Sequence, residues 1–214
     1  PPESKTLRFK DLVEASLALR MGGKPVGNSL DSGEKPIILI SGPNKGGKTV
    51  FLRSVGQAQL MMMVGMFVTA EYFESSVSSG IFTHFKIEEK VNLSRGLFEE
   101  EVARMSEIVE HIKRGSLLLM NESFSSTNER EGSEVAREVI VALAERGVRV
   151  IFVTHFYELQ RWLMENRNDD VLFLRAERKE DGTRTYRIIP GAPEKTSYAD
   201  EVYLKIFGEE LPKS

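Results

Sequence analysis

Cysteine is missing from the chain, which excludes a disulfide framework and thiolate chemistry and fits a reducing cytoplasm. Long apolar runs are missing too. Nothing reaches the roughly 18 to 20 continuous apolar residues that a membrane span needs. The nearest, Leu60 to Ala70 (LMMMVGMFVTA), reads as a buried helix flank whose flexible methionines fill gaps, rather than as a membrane or partner-binding surface. A strong charge of one sign is also absent. The formal net charge is −3 and the lysines and arginines are scattered, so no basic footprint for nucleic acid is visible. Internal repeats and low-complexity stretches do not occur. The opening PPES carries no signal-peptide pattern, and so abrupt a start reads as a piece cut from a longer protein. The 214 residues suffice for a single domain with a real core.

What is present is organised around Pro36 to Thr49, PIILISGPNKGGKT. Ile37 to Ile40 is a short, β-branched apolar run, the mark of a buried strand, and it leads directly into Gly42-Pro43-Asn44-Lys45-Gly46-Gly47-Lys48-Thr49. That segment is G-x-x-x-x-G-K-[ST], the phosphate-binding P-loop. A loop wrapped round phosphate needs inward-pointing N–H groups, which Gly42, Gly46 and Gly47 permit. Lys48 supplies a cation for the β- and γ-phosphates and Thr49 a hydroxyl for Mg²⁺. The helix that starts here, through Val50, Phe51, Leu52 and Val55, turns its positive end to the anion. The bland alternative, a glycine-rich turn without a ligand, lacks a reason for this strand–loop–helix context.

Residues 1–35 are expected to be an edge segment of the same domain and 36–214 its core. Leu7 to Leu19 reads as a strand and then a helix, and the segment as cover for one sheet edge and part of the base-binding side. Tyr72 to Gly80 reads as a polar connection, and Ile81 to Phe85 as a strand. A helix is expected from about Leu97 to Lys113, burying Phe98, Val102, Met105, Ile108, Val109 and Ile112. Glu99, Glu100 and Glu101 then fall in its first turn, as a solvated end matched to the helix dipole. Ser116 to Met120 is a second core strand that ends in Asn121-Glu122, the Walker B arrangement. Glu122 stands where a carboxylate activates water. Asn121 stands where an aspartate usually holds the Mg²⁺ shell, and an amide oxygen brings no charge. A helix over Ser133 to Arg146 precedes the apolar strand Arg149 to Thr154, and His155 follows directly at the γ-phosphate edge. His84 and His111 have no such context and read as structural. Val171 to Arg175 and Thr185 to Ile189 form a hairpin around Asp181-Gly182, before a tail with an apolar-periodic helix through Val202, Tyr203, Ile206 and Phe207.

With these pieces laid out, the chain resembles the ATPase domain of the MutS family of DNA mismatch repair and related proteins. GPNKGGKT is similar to that family's GPN-x-GGK-[ST] loop. Asn121 to Gly132, NESFSSTNEREG, resembles its Walker B and D-loop segment, with Thr127 and Gly132 in register. Val153 to Leu159, VTHFYEL, looks like its TH-[YF]-x-EL segment, and PGAPEKTSYADEV like its late PG…SYG stretch. The resemblance covers roughly residues 20–208. Its signature region departs from the pattern: aligning Phe98 puts Gly96 at the signature serine, whereas reading Leu93-Ser94-Arg95-Gly96 as an LSGG-like loop makes Ser94 and Gly96 the phosphate contacts.

The resemblance implies a P-loop NTPase of ABC-like type, with a mostly parallel sheet flanked by helices and an added antiparallel hairpin. It implies an ATPase that takes ATP with Mg²⁺ and works as a homodimer, the loop of one subunit closing on the P-loop of the other. The implied roles are Lys48, Glu122 and His155 in catalysis, Gly42 to Val50 with Ser94 and Gly96 around the nucleotide, and Thr49 and Asn121 at the metal. DNA contacts belong to segments outside this chain. Two other readings stay open: a nucleotide-gated binding module that barely turns over, motivated by Asn121, and the head of a chromosome-maintenance ATPase.

Overall fold

The computed structural model describes residues 6–86, 96–179 and 182–192. Its main sheet has six strands: β1 to β9 are numbered along the chain, and five of the six run parallel. These are β3 (Ile37–Ser41), β5 (Ile81–Phe85), β6 (Leu117–Asn121), β7 (Arg149–Val153) and β8 (Val171–Arg178), in the spatial order β5-β6-β7-β3-β8. The sixth, β9 (Arg184–Pro190), pairs antiparallel with β8 at the edge. The expected hairpin is therefore an extension of the main sheet, and its first strand runs three residues further than the sequence implied.

The central strands are apolar throughout because both faces are covered. Ile38 and Ile40 point to one side and Ile37 and Leu39 to the other, and all four are essentially inaccessible. On the first side lies helix α2 (Lys48–Met63), with Phe51, Leu52, Val55 and Ala58 buried. On the second lie α3 (Leu97–His111), α4 (Glu129–Glu145) and α5 (Tyr157–Asn166), which bury Met105, then Ala136, Ile140 and Leu143, then Leu159 and Leu163. Full burial of each large aliphatic side chain stabilises by about 1.5 to 3 kcal/mol, so the frame holding the site is rigid. Helix α4 starts at Glu129, earlier than the sequence implied, because Asn128 caps it by accepting from the Glu131 N–H at 3.0 Å.

The amino-terminal segment builds a small sheet of its own. Strands β1 (Leu7–Leu12) and β2 (Asn28–Asp31) join β4 (Tyr72–Ser75) in a three-stranded antiparallel sheet of order β2-β1-β4. Helix α1 (Ala15–Met21) lies between β1 and β2 in the chain. The sheet packs over α2, with the Phe9 ring 5.9 Å from that of Phe51. At its margin the Asn28 amide accepts from the Ile188 N–H on β9 at 2.7 Å.

Three expectations are corrected. Tyr72 to Ser75, read as connection, is strand, because β1 offers it an antiparallel edge. The end of α2 and the following turn are not a buried flank: Leu60, Val64 and Met66 are more than half exposed and Phe67 is 99% exposed. On α3, Val102 faces out and Glu101 faces in with no exposure; only Glu99 and Glu100 fall in the first turn, and the third glutamate is core, not solvated end. Among the described residues, no helix is long and apolar enough to cross a membrane. Ser94 and the tail beyond Ala192 lie outside the described residues.

Candidate functional site

Parallel pairing brings the chemistry to one edge. Ile40 stands opposite Val153 and Asn121 opposite the same Val153, so β3, β6 and β7 end level with one another. The glycine loop, Asn121-Glu122 and His155 thereby meet at the carboxyl ends of adjacent strands, where open α/β sheets place their ligands.

The loop turns through left-handed backbone at Gly42 (φ 114°), Lys45 (φ 61°) and Gly47 (φ 92°) and then enters α2, with Gly47 as its cap. Beside the expected phosphate wrapping, packing gives these glycines a second reason. A Cβ on Gly42 would stand 3.0 Å from the backbone N of Ala176 on β8, and one on Gly47 would stand 3.2 Å from the Tyr186 carbonyl on β9. The extended β8–β9 pair thus leans on the back of the loop, a constraint that local spacing does not reveal.

Lys48 is buried, and its Nζ donates to the carbonyls of Gly42 at 2.6 Å and Pro43 at 2.9 Å. Burial pushes its pKa down, while the Glu122 charge pulls it back up. Thr49 Oγ1 donates to Asn121 Oδ1 at 3.0 Å, which joins the two proposed metal-side oxygens across α2 and β6. Glu122, directly after β6, has its Oε1 3.0 Å from His155 Nε2, and the same nitrogen lies 2.9 Å from Asn44 Oδ1 in the loop. A carboxylate only accepts, so Nε2 carries the proton here. Pro43 and Gly46 are buried in the loop, whereas Val50, in the first turn of α2, is exposed. Gly96 is the exposed cap of α3, and its carbonyl accepts from the Glu100 N–H within that helix rather than from this group.

The donor set fits a hard cation in kind but not in charge. Thr49 and Asn121 offer a hydroxyl and an amide oxygen side by side, and the carboxylate nearest to this pair is that of Glu122, next to Asn121 in the chain. Among the described residues, no cluster of three or more His, Asp or Glu side chains exists for a metal held by protein alone. A divalent ion here must take most of its negative partners from phosphate, as Mg²⁺ commonly does. A cleft of about 500 Å³ opens elsewhere, at the amino end of β3 between Lys35, Ala144 and Asp170, and shares no residue with this edge.

Sequence reasoning missed a buried polar group behind Glu122. His84 on β5 has no exposure; its Nδ1 lies 2.8 Å from Ser123 Oγ and its Nε2 lies 2.9 Å from the Glu101 carbonyl on α3. Ser123 Oγ also reaches the His84 carbonyl at 2.7 Å. Burial drives the His84 pKa down from 6.5 to about 4, so the ring is neutral at pH 7. Below pH 6.5 the unfolded chain binds a proton that the folded chain refuses until about pH 4, so stability falls as pH falls across that window. The expected loss is about 2 to 2.5 kcal/mol, to be measured by urea unfolding at pH 7 and pH 4.5 against His84→Gln, which cannot titrate. Glu101, whose carboxyl burial pushes upward, works with the opposite sign and is common to both proteins, so the difference isolates His84.

The fold and site define the class: an α/β domain with a mostly parallel sheet and a glycine loop, a carboxylate and a histidine gathered at its carboxyl edge. The model of MutS domain V matches residues 38–207, and the chain belongs to the MutS family. It is 32% identical over 173 residues to the DNA mismatch repair protein MutS of Thermotoga neapolitana, covering 79% of this chain and 21% of that protein. It is 29% identical over 191 residues to the MutS of Caldanaerobacter subterraneus subsp. tengcongensis, covering 83% and 21%. It is 31% identical over 192 residues to the endonuclease MutS2 of Clostridium botulinum, covering 87% and 24%. The chain spans about a fifth to a quarter of the length of these relatives.

Proposed function

We propose that this chain is the ATP-binding and ATP-hydrolysing P-loop domain of a DNA mismatch repair or related DNA-processing protein, active as a homodimer. The observation that carries the reading is the meeting of Lys48, the Thr49–Asn121 pair and the Glu122–His155–Asn44 contact at one sheet edge. Phosphoryl transfer to water demands positioning and charge stabilisation more than covalent chemistry, and this edge offers both.

The loop amides and the amino end of α2 receive the phosphates of ATP. Lys48 leaves the Gly42 and Pro43 carbonyls, which it satisfies meanwhile, and turns its ammonium to the β- and γ-phosphates. Thr49 and Asn121 would hold Mg²⁺, which would supply positive charge against the phosphates. Glu122 orients the attacking water and takes its proton as the bond from the γ-phosphorus to the bridging oxygen breaks. His155 holds Glu122 against Asn44 and so reads the state of the loop. The partner subunit's Ser94 and Gly96 close over the γ-phosphate, which makes hydrolysis depend on association. DNA binding belongs to segments outside this chain.

The neutral Asn121 favours a second reading, a nucleotide-gated module that holds ATP with hardly any turnover. The family match leaves the chromosome-maintenance reading without support. Steady-state hydrolysis per subunit, measured across a wide range of protein concentration with Mg²⁺ present, decides between the first two. The composite-site reading expects a rate per subunit that climbs with concentration. Binding of a fluorescent ATP analogue without turnover at any concentration would replace it by the second reading.

A further inference from the structure

Glu122 has a left-handed backbone, φ 52°, and so does Phe124, φ 63°. Such conformations are strained for a non-glycine residue and persist only where the surroundings over-determine them. Here the Glu122 N–H donates to the Val153 carbonyl at 2.8 Å, which fixes one side of the turn. The other side rests on His84. Its ring stands 5.3 Å from that of the fully buried Phe124, and its backbone and Nδ1 both engage the Ser123 hydroxyl.

One turn of α3 then holds both ends of the segment that follows Glu122. The Glu101 carbonyl accepts from His84 Nε2, which fixes the ring against Ser123, and the Glu101 carboxylate accepts from the Ser126 N–H at 3.4 Å. With Nε2 donating, Nδ1 of the neutral ring accepts, so the single Ser123 proton faces two acceptors, at 2.7 Å and 2.8 Å. The hydroxyl therefore has two settings, one toward each acceptor. The Ser126 side chain and the backbone of Phe124 also hydrogen-bond the Glu101 carboxyl and favour its ionised form, so α3 grips this segment at more than one point.

We propose that His84, Ser123 and Glu101 form a positioning joint that sets the placement of Glu122 and ties it to α3, the helix capped by Gly96. None of the three touches the phosphate side of the edge; they act through Glu122. The consequence for turnover rests on the ATPase reading, whereas the effect on the placement of Glu122 does not.

The protein has three histidines, so the ring signals of His84, His111 and His155 are separable by ¹H–¹⁵N spectroscopy. His155 touches Glu122 directly and reports where it stands; His111, at the far end of α3, is the control. Ser123→Ala is expected to shift the His155 signals and leave those of His111 in place. It is also expected to lower turnover roughly tenfold at unchanged affinity for ATP, and to add no further loss to Glu122→Gln. Unmoved His155 signals, or a further loss on top of Glu122→Gln, would overturn the joint. Should Ser123→Ala fail to fold, Glu101→Ala is expected to move His155 and Glu101→Gln, which keeps the acceptor for Ser126, to bring it back. If the parent protein hydrolyses no ATP, the ATPase reading fails and the His155 signals still judge the joint.

Discussion

Glu122→Gln is expected to cut steady-state ATP turnover by at least about a hundredfold, the scale of a lost general base, while ATP still binds. The substitution isolates charge. A glutamine side chain keeps the length and planarity of the glutamate, and its amide oxygen still accepts from His155 Nε2–H, so the 3.0 Å contact and the left-handed turn at φ 52° both survive. What disappears is a group able to take the proton of the attacking water. Nucleotide affinity, measured with an ATP analogue, is expected to stay within about threefold or to tighten, because a negative charge near the γ-phosphate has been removed. Turnover in Glu122→Gln equal to that of the parent would strip Glu122 of its role. His155→Ala then separates the two partners: it releases Glu122 without changing its chemistry, so its loss is expected to be smaller.

The loop, the strand before it and the two strands that end at Asn121 and Val153 were legible because each is a local pattern. The apolar runs have one length and composition, and the residues that follow them are the exceptions to that composition. Parallel pairing then does the rest, since strands that end level gather whatever follows them. The small sheet was not legible in the same way. β4 is a short stretch, Tyr-Phe-Glu-Ser, that becomes strand because β1, more than sixty residues earlier, lies beside it with Leu7 opposite Ser75 and Lys10 opposite Tyr72.

Glu101 is the more instructive case. It lies three residues after Phe98 and four before Met105, on the stripe that α3 buries, and the periodicity therefore contained it. The neighbouring Glu99 and Glu100 disguised it as part of an acidic helix start. His84 likewise stands level with Met120 in the adjacent strand, two residues short of Glu122, but pairing between β5 and β6 is not written in either segment alone. The exposed apolar end of α2 misled in the opposite direction: hydrophobic content predicts burial only where something in the fold covers it, and Phe67 has no cover among the described residues.

Asn121→Asp carries the second large expected effect, and its sign depends on the metal. With Mg²⁺ present, the aspartate keeps the Thr49 hydrogen bond and adds a charge where the donor set now has only neutral oxygens. Charge-assisted bonds to a metal-bound water are roughly twice as strong as neutral ones, so the Mg²⁺ concentration for half-maximal ATP binding is expected to fall about tenfold. Turnover is expected to rise by a similar factor if a loosely held metal limits the parent. Without Mg²⁺ the same charge stands beside Glu122 and the incoming phosphates, and ATP affinity is expected to weaken severalfold. Titrating ATP analogue binding with and without Mg²⁺ therefore gives opposite shifts in one variant, an outcome that a general change in stability cannot produce. Equal shifts in the two conditions would remove Asn121 from the metal side of the site. A metal-dependent gain in binding with no gain in turnover would instead leave the nucleotide-gated module as the better description of this chain.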